Sequence, residues 1–138
     1  MSIAKNMLRV GVVSSVNPAN ATVRVFFPDR DNLVSNELPV IFPHTLKTRH
    51  YSLPAVGENV VCLFQGNGIQ DGYCLGAIYS EVDLPPVQDK NLSGVWFEDG
   101  SHVYYDREKK KLHVKAVSDV YIDGDLHVSG QVYTGGSA

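Results

Sequence analysis

The chain has 138 residues, a net charge of −3, and 43% hydrophobic against 20% charged residues. That is enough apolar material for a modest core. It carries no surplus of cations for neutralising phosphates, which argues against a dedicated nucleic-acid binder. Apolar runs fall far short of the roughly 20 residues needed for a membrane-spanning helix, and the opening Met1-Ser2-Ile3-Ala4-Lys5-Asn6 lacks the pattern of a secretory signal, so assembly in a bacterial cytoplasm is expected.

In chain order, apolar and polar residues alternate with a period of two and helical periodicity is nearly absent, which is an all-β signature. A first strand is expected over 8–16, then the turn Asn17-Pro18-Ala19-Asn20 and a second strand over 21–27. Residues 28–52 read as a loop-rich excursion with Pro28, Pro39 and Pro43 and a short strand near 38–42. Leu53-Pro54-Ala55-Val56-Gly57-Glu58 is a turn feeding a strand over 59–64. A second hairpin turns over 65–72, through Asn67-Gly68, and returns over 73–79. Short strands with glycine at the bends and one long excursion fit a small closed barrel of the OB type. The expected organisation is an OB-fold barrel over 1–80, a linker with Pro85-Pro86 over 81–91, and a β-rich segment over 92–138.

Two cysteines, Cys62 and Cys74, are too few for a disulfide scaffold and lack metal-ligand spacing. Both fall in apolar strand patterns on either side of the second turn, so they are expected to face one another as reduced core residues, with a disulfide between them as the alternative. The basic run Arg107-Glu108-Lys109-Lys110-Lys111 lies between two strand patterns and reads as a solvated hairpin turn.

Beyond the linker the strand pieces shorten: 94–98, 102–106, 112–116, 120–122, 126–128 and 131–133, with Gly and Asp at the joints. So short a segment with few large apolar side chains cannot offset its chain entropy alone. It needs partners. An intertwined trimeric β-helix or β-prism spike satisfies that need, with Val103, Leu112, Val114, Val120, Ile122, Leu126, Val128 and Val132 as the shared trimer core.

Pro54, Gly57 and Glu58, then Phe64, then Gly72, Gly76 and the run through Ser80, closely resemble the barrel of the phage baseplate assembly protein V family, the central spike proteins of contractile tails, related to the type VI secretion spike. The opening hairpin, and Trp96-Phe97-Glu98-Asp99-Gly100-Ser101 with Tyr104-Tyr105-Asp106, resemble other parts of that family, so the resemblance runs from about Met7 to Gly130. It implies a homotrimer whose barrels ring an axis and whose C-terminal segments form a needle driven transiently through a target envelope. The implied partner is a baseplate hub protein at the barrel end. The loop over 29–53, with Arg30, Lys47 and Arg49, is a candidate contact for it or else a solvated loop, and the needle end is expected either to carry a separate tip protein on the face over 126–136 or to be covered by its own Gly-Gly-Ser-Ala tails. The chain has no room for the lysozyme domain of some members and lacks the metal-binding His-x-His apex of others.

No catalytic residue, metal site or cofactor is expected, and no enzymatic activity. His44, His50, His102, His113 and His127 lack ligand spacing, and alternation turns His113 and His127 away from their flanking Leu and Val. Asp99, Asp106, Asp119, Asp123 and Asp125 sit at or beside expected corners, where a side chain that bonds the local backbone is favoured. Ser14, Ser15 and Ser35 lack nucleophile-elbow context. The second functional class is an OB module that stacks single-stranded nucleic acid or oligosaccharide on Phe26, Phe27, Tyr73 and Tyr79.

Overall fold

The structure is a computed structural model describing residues 7–29, 31–66, 68 and 71–136. All its named elements are strands: β1 (Leu8–Asn17), β2 (Thr22–Phe27), β3 (Leu33–Val34), β4 (Leu38–Pro39), β5 (Asn59–Phe64), β6 (Gly72–Ala77), β7 (Leu92–Trp96), β8 (His102–Asp106) and β9 (Lys111–Lys115). The fold is all-β. The chain divides into two compact units, Met1–Pro85 and Pro86–Ala138.

In the first unit, β1 is long enough to serve two neighbours. Its first half pairs with β5, from Leu8↔Leu63 to Val12↔Asn59, and its second half with β2, from Val12↔Phe26 to Asn17↔Thr22. The register slips between Val13 and Ser15, and the extra Ser14 donates its hydroxyl to the Arg24 carbonyl at 3.1 Å. Such a bulge bends a strand and raises its twist, which lets one strand continue around a small barrel. The ladder runs β3-β2-β1-β5-β6, with β4 also on β2. The ring closes where Val40 bridges Cys74 in parallel and the Ile41 amide donates to the Cys74 carbonyl at 3.0 Å.

Alternation places Val13, Val23, Val25, Phe27, Leu38, Val60, Cys62, Phe64 and Cys74 inside as one core, with the rings of Phe27 and Phe64 edge-to-face at 5.7 Å. Gly11 is required by close approach: a Cβ there would lie 2.6 Å from Val25 Cγ1, 2.7 Å from the Phe26 carbonyl oxygen and 2.8 Å from Phe27 Cε1. The Asn67-Gly68 turn was expected between β5 and β6; Asn67, Ile69 and Gln70 lie outside the described residues, as does Arg30.

The second unit holds the antiparallel sheet β7-β8-β9. Its first joint is Phe97-Glu98-Asp99-Gly100-Ser101: the Phe97 amide donates to the Ser101 carbonyl at 2.8 Å, the Ser101 amide to Asp99 Oδ1 at 2.9 Å. The Ser101 amide and hydroxyl hold the Asp99 carboxyl below its usual range. The second joint is the basic run after Asp106, whose Oδ1 accepts from the Glu108 and Lys109 amides. Three expected strand pieces, over 120–122, 126–128 and 131–133, are not strands here: among the described residues the last strand ends at Lys115. The physical reason is the absence of a neighbour, since a three-residue strand is held only by the ladder it joins.

Candidate functional site

The turn Leu53-Pro54-Ala55-Val56-Gly57-Glu58 clasps the middle of β1. The Gly57 amide donates to the Val13 carbonyl at 2.9 Å, and the Val13 amide returns a bond to the Glu58 carbonyl at 2.9 Å. Gly57 sits at φ 97°, where a side chain would be strained. Glu58 closes the turn on itself: its Oε1 accepts from the Ala55 amide at 2.6 Å while its own amide donates to the Ala55 carbonyl at 3.1 Å. The other barrel positions are also structural. Phe64 fills the core; Gly72 lies against the Leu63 carbonyl and the Phe64 ring; Gly76 follows the bulge in the β5–β6 ladder. These residues shape the barrel.

The surface is more informative than any cleft. On β7-β8-β9 the register puts Val95, Val103 and Val114 in one row and Tyr105 beside Leu112 in the next, all on one face. This face is apolar and uncovered: Val103 is 39% exposed, Val114 53% and Leu112 69%. The opposite face carries Trp96, His102, Tyr104 and His113: the Trp96 and His113 rings stack on Tyr104, and the His102 ring lies tilted beside it. The remaining expected core residues, Val120, Ile122, Leu126, Val128 and Val132, lie in the strandless segment after Lys115 and are all exposed. A single chain leaves every one of the eight wet. All eight are therefore open to burial against another surface.

The barrel also exposes apolar residues. Leu8, Leu63 and Tyr73 are register partners across β1, β5 and β6, and all three point outward and are exposed.

A family model described as the type VI secretion system/phage-baseplate injector OB domain matches residues 9–79, a little over half of the chain. The chain belongs to that family. The match covers β1 through β6, and the first unit is therefore an OB domain of the injector type. The chain is also similar to the spike protein of Escherichia phage P2, at 23% identity over 128 residues, covering 93% of this chain and 59% of that protein. It thus spans less than two thirds of its relative's length.

Of the four aromatics considered as a stacking platform, Phe27 is fully buried in the core, Phe26 is half-buried, and Tyr73 and Tyr79 are exposed. The loop residues Lys47 and Arg49 are exposed on a small hairpin-like turn bridged at Thr45↔Arg49. No group of three or more metal-ligating side chains occurs among the described residues, and no helix among them is long and apolar enough to cross a membrane.

Two buried polar residues escape sequence reasoning. Arg9 points inward, with its guanidinium 5.3 Å from the centre of the Phe64 ring. Alternation with Leu8 and Val10 held the signal, since it assigns Arg9 to the inner face. Ser35 is buried too, and its hydroxyl accepts from the Val25 amide at 3.0 Å while donating to the Asn36 carbonyl at 2.7 Å. It extends the β2 ladder where β3 has ended, a role with no sequence pattern.

Proposed function

We propose that the chain is a central spike protein of a contractile-tail baseplate or tail-like injection machine, a homotrimer whose C-terminal segments build a needle that helps breach a target envelope. The observation that carries this reading is the uncovered apolar face of β7-β8-β9 together with the exposed apolar residues that follow it. Three copies packing these surfaces around one axis remove them from water at about 25 cal/mol per Å², and give the short pieces after Lys115 the strand neighbours that one chain lacks. The role is mechanical and involves no turnover. The barrel turns one end to a hub protein, with the loop of Lys47 and Arg49 as the contact, and a tip protein covers the face over 126–136. The assembled trimer is then a component of a virion tail or tail-like particle.

Sedimentation of the purified chain tests the proposal. A homotrimer with no monomer at micromolar concentration is the expected result; a stable monomer rejects it.

A further inference from the structure

The aromatic face of β7-β8-β9 brings together two histidines that lie far apart in sequence. Tyr104 pairs directly with His113 across β8 and β9, and His102 is two residues back on the same face of β8. The three rings form a compact triangle: Tyr104 to His113 is 5.0 Å between centroids, His102 to Tyr104 is 5.2 Å, and His102 to His113 is 5.2 Å with planes 31° apart.

The His102–His113 separation has a chemical meaning. A tetrahedral ion that binds two imidazoles at about 2.0–2.1 Å holds their ring centroids about 5 Å apart. The backbones carrying both rings are fixed by ladder pairing, so little chain entropy is lost on binding, and the soft terminal torsion of each side chain can turn its lone pair toward a shared point. We infer that His102 and His113 form a two-histidine site for a late first-row divalent metal ion, with Zn²⁺ as the natural probe. Water completes the coordination shell. The bound ion staples β8 to β9 on the face opposite the apolar one, so the site is independent of the trimer reading.

Neighbouring charge limits the affinity without forbidding it. Lys115 is the register partner of His102 and Lys111 follows two residues before His113, but both are exposed and their flexible stems carry the ammonium groups into water. Asp106, on the same face, is engaged with the turn amides of Glu108 and Lys109. Binding needs both imidazoles neutral and weakens in acid. A second pair, His44 and His50, has centroids 5.7 Å apart with planes at 63°, but it sits in a loop outside the named strands and serves as the control.

Calorimetric titration of the full chain with zinc chloride, paired with thermal unfolding, tests the inference. Saturable uptake of one ion per chain and an upward shift of the unfolding midpoint are expected. Both are lost in His102→Ala and in His113→Ala, and both persist in His44→Ala and His127→Ala. Should an alanine variant lose its parent β spectrum, His→Gln at the same position is read instead. The inference is overturned by no uptake at millimolar zinc, by uptake that survives either substitution, or by one ion per three chains, which marks an axial site instead.

Discussion

Cys62 and Cys74 are direct register partners across β5 and β6, both fully buried, both free thiols, and hydrogen-bonded to each other. The pairing seals the part of the core beneath the bridge from Cys74 to Val40. Neither sulfur meets solvent, so thiol reagents should not modify the folded chain on the timescale on which they modify the unfolded one. Titration with a chromogenic disulfide is expected to give no fast thiol in buffer and two in denaturant.

The same pair sets a pH dependence. The bond to Cys74, with burial behind it, holds the Cys62 thiol far above its ordinary range, while accepting that bond lowers Cys74. Cys62 therefore keeps in the folded chain a proton that it releases at about pH 8.5 when the chain is unfolded. Stability from this source is complete below that pH and declines as pH rises beyond it. Urea midpoints of the parent should therefore fall as pH rises from about 8.5 to about 10, and a midpoint that stays flat over that range would remove Cys62 ionisation as a source of the pH dependence.

Gly11 is expected to tolerate no side chain. The atoms a Cβ would meet include the Phe26 carbonyl, which the ladder holds in place, so the neighbour cannot yield as a flexible side chain would. Gly11→Ala should destabilise the barrel by about 1–3 kcal/mol, the usual range for overpacking, measured as a lower urea midpoint with an unchanged denaturant slope.

Glu58 separates charge from hydrogen bonding. Its Oε1 accepts from the Ala55 amide within an exposed turn, and a glutamine oxygen can accept the same bond. Glu58→Gln should therefore stay close to the parent, whereas Glu58→Ala should lose about 1 kcal/mol. Equal losses in the two variants would assign the effect to the carboxylate charge.

The barrel was legible because its strands are half-buried and alternate: β1, β2, β5 and β6 begin and end within about two residues of the sequence-based expectation, the usual uncertainty of strand ends. Glycine positions and the facing cysteines followed from the same pattern. Arg9 was missed because a cation flanked by apolar residues reads as outward by residue type and inward by period, and here period wins, with the Phe64 ring beneath the guanidinium. The His102–His113 proximity depends on how β8 and β9 are registered, which the turn over 107–110 sets. The segment after Lys115 could be read only as a need for partners, since composition says what must be buried and not what buries it.

That need distinguishes two ways of breaking the assembly. Leu112 lies on a sheet face already formed in one chain, and Leu126 lies where one chain forms no strand. In a trimer built on these surfaces, an aspartate at either position places three carboxylates near one axis, where desolvation and mutual repulsion oppose association. Leu112→Asp should leave the β7-β8-β9 ladder intact while weakening the trimer, since the face is exposed before assembly. Leu126→Asp should also lower the β content of the assembled protein, because strands beyond Lys115 would form only on contact. A chain ending at Pro85 retains the barrel core and the exposed row of Leu8, Leu63 and Tyr73. With the C-terminal apolar residues removed, the shortened chain should sediment as a monomer or a weak oligomer. A tight trimer of the shortened chain would move the seat of assembly from the C-terminal segment to the barrel.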